Sequence, residues 1–157
     1  MSILVPIGDM KIGQTPEVLG TEALGSGLCL TVYDSISQLG GLLHAMLPMS
    51  KINTSKAAQN PFMFVDTGIP ELFQALSEND TDKDRWKIKA VGCGNPMGAK
   101  EVFKIGERNY RVMQEMLSKE GLGLAAEDVG GTVNRKVTLD LASGQTIVHS
   151  NGTERVL

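Results

Sequence analysis

GLCLTVYDSISQLGGLLHAMLP, residues 27–48, contains the two longest apolar runs in the first third of the chain. The first run ends at Asp34 and the second is stopped by Pro48, with a short polar connection between them. Apolar runs of this length bounded by turn residues are typical of strands, and so short a connection predicts that the two strands pair as a hairpin. We therefore expect the ends of the two strands to lie close together.

Further strands and a second hairpin are predicted on both sides of this pair. ILVPI (3–7) and KIKAVG (87–92) are short apolar runs typical of strands. KVTLDLASGQTIVHS (136–150) predicts a hairpin with its turn at Ser143-Gly144. By contrast, residues 49–60 are polar and aperiodic, which predicts a mobile loop.

Two helices are predicted between these strands. The first covers about 61–78, with a break indicated by Gly68 and Pro70. Its apolar stripe consists of Phe64, Ile69, Leu72, Phe73 and Leu76. The second runs from Glu107 to Glu120 and ends at Gly121. Strands that occur singly, in hairpins and around helices predict an α+β class, or mixed α/β with mixed sheets, in a single domain spanning 1–157.

The composition excludes several classes of partner. With 15 basic and 18 acidic residues and a net charge of -3, the chain offers no reason to expect binding to nucleic acid or to an anionic membrane. Its first 13 residues lack the basic and apolar segments of a signal peptide or membrane span, so we expect a cytoplasmic protein. Two cysteines outside any Cys/His cluster predict neither a disulfide framework nor a zinc site.

His44 is the first candidate for chemistry, although a lone histidine in an apolar strand is more often a core residue. If the two strands pair, His44 near the end of one approaches the start of the other, where Gly25 and Gly27 flank Ser26. A thiol or hydroxyl placed there would be within reach of an imidazole base. Nucleophilic acyl transfer requires that arrangement.

Four other features favour structural interpretations. GCGNPMG (92–98) lacks the residues of a P-loop or a dinucleotide fingerprint, so a turn after a strand is favoured over a phosphate cradle, with Cys93 a small buried side chain. The adjacent acids Glu127 and Asp128 would face opposite ways on a strand, which favours ordinary solvated charges over metal binding. His149 is predicted to be a surface strand residue.

Several stretches taken together resemble the chemoreceptor glutamine deamidases of chemotaxis, the CheD family. The similarity runs over nearly the whole chain, and its order and spacing are more specific than any one motif. The stretches are IGDMKI, TEALGSGLCLTVYD, GGLLHAMLP, FVD, KIGERN and AEDVGGTVNRKV. The resemblance implies a cysteine-hydrolase fold with layered mixed sheets and helices on the outside. It also implies an enzyme that converts selected glutamines of methyl-accepting chemotaxis receptors to glutamate and releases ammonia.

The resemblance assigns roles to three positions and leaves one of them empty. His44 matches the general base of the family, and Thr21 matches the third member that helps to hold it. The nucleophilic cysteine of the family pattern T-x-x-L-G-S-C falls on position 27, which is glycine here. Because glycine has no side chain to form a thioester, we expect the activity to be impaired.

Cys29 and Ser26 are the available substitutes for the missing nucleophile, and both are poor ones. Cys29 lies about 6.5–7 Å further along the strand, so His44 is not expected to contact both places. Ser26 would face the other way in a regular strand. Thiol-based amide hydrolysis implies no metal or organic cofactor, and the backbone N–H groups around Gly25 to Gly27 are candidate oxyanion donors.

Three interpretations therefore remain open from the sequence. The chain is a working deamidase, by a substitute nucleophile or as an altered form of a protein that normally carries cysteine at position 27. Alternatively, it is an inactive member that docks to receptors and to CheC, a phosphatase that the resemblance brings in as a partner. The third interpretation is a stable domain in which Thr21 and His44 are leftovers.

Overall fold

The structure, a computed structural model, describes residues 2–157 as two β-sheets and a layer of helices. In chain order the strands are β1 (Ser2–Leu4), β2 (Asp9–Gln14), β3 (Val18–Gly20), β4 (Leu28–Asp34), β5 (Leu39–Ala45), β6 (Trp86–Gly92), β7 (Ala126–Val129), β8 (Lys136–Asp140), β9 (Thr146–Ser150) and β10 (Thr153–Val156). The helices are α1 (Thr54–Gln59), α2 (Val65–Ser77) and α3 (Ile105–Lys119). Within residues 2–157, no helix has the length and apolar character needed to cross a membrane.

Each sheet has five strands and mixes parallel with antiparallel pairs. The first sheet has the order β1-β3-β8-β9-β10, and the second has the order β2-β5-β4-β6-β7. Within them, β1 pairs with β3 and β6 with β7 in parallel, whereas the other pairs are antiparallel. The predicted α+β class with mixed sheets is confirmed.

The predicted pairing of the two central strands is also confirmed. β4 and β5 form an antiparallel pair over their whole length, from Leu28 opposite Ala45 to Asp34 opposite Leu39. Every residue of both strands is buried. Because successive side chains alternate between faces, Leu28, Leu30 and Val32 pack against the helices. Cys29 and Tyr33 contact the first sheet from the other face. Burial on both faces explains why this stretch reads as nearly continuous apolar sequence.

Helix α2 forms as predicted but without the expected break. Its apolar stripe is buried against the second sheet. Pro70 lies inside the helix and removes one backbone donor, yet the helix continues to Ser77 because the residues beyond it pack into the core. Gly68 allows α2 to approach the Leu43 side chain of β5 closely, since a Cβ at position 68 would lie 3.0 Å from Cδ1 of Leu43.

Helix α3 and the second hairpin agree with their patterns. α3 begins two residues before the expected start, and Gly121 follows it with a φ of +68°. Val112, Met113 and Leu117 are buried in its core-facing side. β8 and β9 pair antiparallel across the predicted turn, where Gly144 has a φ of +80°.

The prediction of a loop over residues 49–60 is wrong. A 3₁₀ turn forms at Ser50–Ile52, and α1 follows it. The Asn53 side chain caps α1 by accepting a hydrogen bond from the backbone N–H of Lys56 at 3.1 Å. The strand expected over 3–7 is shorter, since β1 ends at Leu4. β2, β3 and β10 were not predicted because they are short or polar and depend on their partners.

A buried ion pair closes the far end of the central strands. The Asp34 carboxylate is fully buried and lies 2.8 Å from Nη2 of Arg85. Burial alone would raise the pKa of this carboxyl, but the guanidinium and three backbone N–H groups outweigh it and hold the pKa at about 2.

This ion pair predicts a loss of stability in acid. A carboxyl whose pKa falls on folding stabilises the native state above its usual pKa of 3.8, and that contribution disappears as the pH falls towards 2. Asp34→Asn should therefore lower the free energy of unfolding at pH 7 by about 2 kcal/mol or more. The difference should shrink between about pH 4 and pH 2 in urea titrations. Glu115→Gln, at an exposed site of α3, is the control and should change stability by less than about 0.5 kcal/mol. An equal pH dependence of Asp34→Asn and the unmodified chain would contradict this assignment.

Candidate active site

His44 lies near the end of β5 and is almost fully buried, with 3% of its surface exposed. Its Nδ1 is 3.3 Å from the backbone carbonyl oxygen of Val5. Because a carbonyl oxygen only accepts hydrogen bonds, Nδ1 must carry the proton, and Nε2 is left with its lone pair. Burial lowers the pKa of His44 more than the contact with Val5 raises it. The ring is therefore neutral at pH 7, as a general base must be.

Gly27 lies directly in front of this ring. A Cβ built on Gly27 would be 3.7 Å from Nε2 of His44 and 3.9 Å from Cδ2. A side chain one bond longer would come within hydrogen-bonding reach of the free nitrogen. The structure thus brings position 27 and His44 together, as the hairpin pairing predicts.

The backbone does not demand glycine at position 27. The φ of Gly27 lies outside the left-handed region in which glycine is favoured. The one close neighbour of an added Cβ is the backbone carbonyl oxygen of Ala45 at 3.0 Å. A side chain at this position therefore requires that carbonyl to move by a few tenths of an ångström.

The segment before β4 is held by the loop that follows β6. The backbone N–H of Cys93 donates to the Gly27 carbonyl at 2.8 Å, and that of Gly94 donates to the Gly25 carbonyl at 3.0 Å. Gly92 has a φ of +104°, and a Cβ there would collide with the Gly27 carbonyl oxygen. The amides of Cys93 and Gly94 are thereby used within the fold, which agrees with a structural turn rather than a phosphate cradle.

The carbonyls of this segment are engaged, whereas its amides are not. Among residues 2–157, the N–H groups of Ser26 and Gly27 donate to no backbone or side-chain acceptor. An oxyanion hole requires free N–H groups of this kind beside the attacking atom. These amides remain candidate oxyanion donors.

Thr21 is buried, but no hydrogen bond joins it to the imidazole among the described residues. Its Oγ1 accepts a hydrogen bond from the Val137 amide at 3.2 Å, and its own amide donates to the Val137 carbonyl. The preceding residue, Gly20, accepts a hydrogen bond from the Val5 amide at 2.7 Å. Thr21 therefore anchors the strand that positions Val5, and Val5 in turn contacts His44.

Cys29 is paired with His44 in the strand register, on the same face of the sheet. The imidazole ring itself is turned towards position 27, where a Cβ would lie 3.7 Å from Nε2. Cys29 is also fully buried between the two sheets, and burial raises the pKa of its thiol well above the usual value. A thiol that stays protonated and is inaccessible to a protein substrate is a poor nucleophile.

Ser26 gives no better substitute. No hydrogen bond joins its hydroxyl to His44 within residues 2–157. Its carbonyl accepts instead from Nδ2 of Asn109 at 2.9 Å. Position 27 therefore faces the imidazole of His44, but glycine has no side chain that could react there.

The remaining sequence candidates have structural roles or lie elsewhere. Cys93 is 4% exposed, and burial raises the pKa of its thiol to about 12. Asp128 is not an ordinary solvated charge, because it is paired with the buried Arg135 at 3.3 Å and with Arg155. Nη2 of Arg135 also donates to the Gly130 carbonyl, which ties β7 to the start of β8. His149 lies in β9 with its side chain 34% exposed.

Sequence reasoning missed two groups that shape the site. Val5 acts through its backbone carbonyl, which no residue pattern reveals. Asn109 could have been noticed in the sequence, because it is a polar residue on the otherwise apolar, buried face of α3.

The burial of both cysteines predicts a specific pattern of thiol reactivity. Both thiols of the native protein are buried and protonated, so they should react slowly with a chromogenic disulfide reagent. In the time that an accessible thiol needs to react fully, less than about one-tenth of the two thiols should have reacted. Guanidinium should expose both thiols. Gly27→Cys should add one fast thiol, and Ile36→Cys, at an exposed turn, is the control for ordinary accessibility. Fast reaction of Cys29 in the native unmodified chain would contradict this placement.

Known proteins resemble this chain over nearly its whole length. The family model described as CheD chemotactic sensory transduction matches residues 46–150. A protein of Solibacter usitatus (strain Ellin6076), named "Probable chemoreceptor glutamine deamidase CheD", is 41% identical over 156 residues, which cover 99% of this chain and 92% of that protein. Similar proteins with names of the same kind occur in Syntrophus aciditrophicus (strain SB), 35% identical over 96% of this chain and 94% of that protein, and in Pyrococcus horikoshii, 36% identical over 91% and 88%. The chain belongs to the CheD family.

Proposed function

We propose that this chain carries the active-site framework of a chemoreceptor glutamine deamidase in which the nucleophile position, Gly27, is vacant. The observation that carries the proposal is the 3.7 Å separation between a Cβ at position 27 and Nε2 of His44. The names of the relatives supply the reaction and the substrate, a glutamine side chain of a chemoreceptor.

The geometry supports the first chemical step for a cysteine at position 27. Neutral His44 would accept the thiol proton at Nε2, and the thiolate would attack the carboxamide carbon of the substrate glutamine. The negative charge that develops on the carboxamide oxygen would be stabilised by the free amides of Ser26 and Gly27. The imidazolium would then donate its proton to the leaving nitrogen, which departs as ammonia.

The second half of the reaction uses the same groups in reverse. His44 would remove a proton from a water molecule, and the resulting hydroxide would attack the thioester carbon. The thiolate leaves and regains its proton, and the product side chain is glutamate. Throughout, Val5 holds the ring in one tautomer, and the strand anchored by Thr21 holds Val5.

With glycine at position 27, this route has no covalent intermediate. Cys29 is buried between the sheets, and Ser26 has no hydrogen bond to the base within residues 2–157. We therefore propose that the unmodified chain has little or no deamidase activity. The two unpaired cysteines suit a reducing compartment, so we place the protein in the cytoplasm.

Restoring the cysteine should restore the reaction. Gly27→Cys incubated with receptor cytoplasmic fragments should release ammonia at a rate on the order of 10⁴-fold or more above the unmodified chain, because removing a nucleophile costs that much in other hydrolases. Ammonia release and the mass increase of about 1 Da per glutamine converted are the measurements.

Two matched variants separate the chemistry from the fold. Gly27→Ala adds a Cβ without a thiol and should stay inactive. Gly27→Cys combined with His44→Ala should lose about 10²- to 10⁴-fold of the restored rate, since the base is gone. Robust turnover by the unmodified chain, or an inactive Gly27→Cys that folds normally, would refute the proposal.

A second candidate function is docking without catalysis, with receptors or CheC as the partner. The observation that favours it is the exposure of three apolar side chains in the segment between β6 and α3. Met97 is 60% exposed, Phe103 is 73% exposed and Val102 is 80% exposed. Large exposed apolar side chains are candidates for contacts with a protein partner. This loop lies beside the site, since Pro96 is a neighbour of Gly25.

The docking function predicts binding that does not depend on position 27. The unmodified chain and Gly27→Cys should bind receptor fragments or CheC with dissociation constants within about twofold of each other in calorimetric titrations. Phe103→Ser should weaken binding by about tenfold or more, because it removes a large apolar contact. Ile36→Ser is the matched control, since Ile36 is 74% exposed in the turn between β4 and β5. Absence of binding to both partners would exclude this function.

A further inference from the structure

Asn109 is a fully buried polar residue on the core-facing side of α3, where its neighbours are Gly106, Val112 and Met113. Its Nδ2 donates two hydrogen bonds, to the Ser26 carbonyl at 2.9 Å and to the Met46 carbonyl at 3.0 Å. Its Oδ1 is buried and has no hydrogen-bond partner among residues 2–157. A buried polar atom without a partner is costly, so a residue retained at that cost is one whose other contacts matter.

The two carbonyls that Asn109 contacts belong to the two sides of the candidate active site. Ser26 immediately precedes the nucleophile position, and Met46 follows the base by two residues. One side chain thus joins the segment that leads into β4 to the segment that leaves β5. No hydrogen bond of the β4–β5 ladder performs this task, because the ladder pairing ends at Leu28 opposite Ala45.

The bond to Ser26 also orients an amide. The peptide group between Ser26 and Gly27 is planar, and in a trans peptide the carbonyl and the N–H point in opposite directions. Holding the Ser26 carbonyl towards α3 therefore turns the Gly27 N–H away from the helix. That N–H is one of the free amides beside the position where a nucleophile would stand.

The position of α3 is itself set by the neighbouring loop. A Cβ on Gly106 would lie 2.6 Å from the Cys93 carbonyl oxygen and would collide with that of Gly94, so the helix begins in direct contact with this loop. Cys93 and Gly94 in turn hold the carbonyls of Gly27 and Gly25. The first turn of α3 is therefore fixed against the site, and Asn109 lies one turn further on.

We propose that Asn109 is a positioning residue for the deamidase chemistry: its amide fixes the Ser26–Gly27 peptide relative to His44, so that a side chain at position 27 meets Nε2 and the Gly27 amide faces the substrate. This inference rests on the proposed function. It assigns to Asn109 no contact with the substrate and no proton transfer.

The test uses the Gly27→Cys chain as the parent and removes the two hydrogen bonds. Asn109→Leu keeps a similar volume without a donor, and Asn109→Ala is the smaller alternative. The kcat for ammonia release from receptor fragments should fall about 10- to 100-fold, with KM changed by less than about twofold, because the reacting groups are misplaced while the docking surface is untouched.

A second measurement reports the surroundings of the thiol introduced at position 27 in that parent, without any substrate. The rate of alkylation by iodoacetamide followed against pH gives the fraction of thiolate, which pairing with His44 increases. The midpoint should move to higher pH by about one unit in both Asn109 variants. Val112→Ala, which trims a buried apolar residue on the same face of α3, is the matched control and should leave the midpoint unchanged.

The outcomes separate the two proposals. If Gly27→Cys has no deamidase activity, the proposed function fails, while the alkylation midpoints still support or refute the role of Asn109. The inference is overturned if the midpoint stays within about 0.3 pH units of the parent and kcat within about twofold, or if Val112→Ala moves the midpoint equally. It is also overturned if both Asn109 variants fail to fold by circular dichroism, because Asn109 would then support the whole domain rather than the site.

Discussion

The antiparallel pairing of β4 with β5, buried on both faces, fixes the register on which both cores and the candidate site are built. A one-residue slip in register would turn every side chain of a strand to the opposite face. Leu28 and Leu30 would then face the first sheet, and Cys29 and Tyr33 would face the helices. The register that satisfies both cores is also the one that places His44 opposite Cys29, with its ring turned towards Gly27. Core packing and site geometry are therefore set by the same hydrogen bonds.

The glycines around the site differ in how strictly the structure requires glycine at each position. Gly92 and Gly106 lie where backbones approach so closely that a Cβ would collide with a carbonyl oxygen. Gly27 has no left-handed φ, and a Cβ there would lie 3.0 Å from the Ala45 carbonyl oxygen and point at the imidazole. Packing therefore demands glycine more strictly at the first two positions than at position 27.

The contacts that position His44 and the segment before β4 are made by backbone atoms more than by side chains. Val5 orients His44 with a carbonyl, and Cys93 and Gly94 fix the segment before β4 with their amides. Asn109 is the side chain that joins these parts, and it too contacts only carbonyls. None of these hydrogen bonds depends on a side chain at position 27.

The central hairpin, α2, α3 and the β8–β9 hairpin were predictable because each has an apolar period long enough to identify it. The candidate pair at positions 27 and 44 also followed from the sequence, through the resemblance and the expected meeting of strand ends. The short elements were not predictable, since β2 and β3 exist by pairing with distant partners and α1 depends on one cap. Which atoms meet was settled by tertiary contacts alone: the approach of Val5 and Asn109 to the site, and the placement of Cys29 across from His44. The physical reason is that residue periodicity reports which face of an element is buried, whereas contacts between carbonyls, amides and rings depend on register and on the close approach of distant segments.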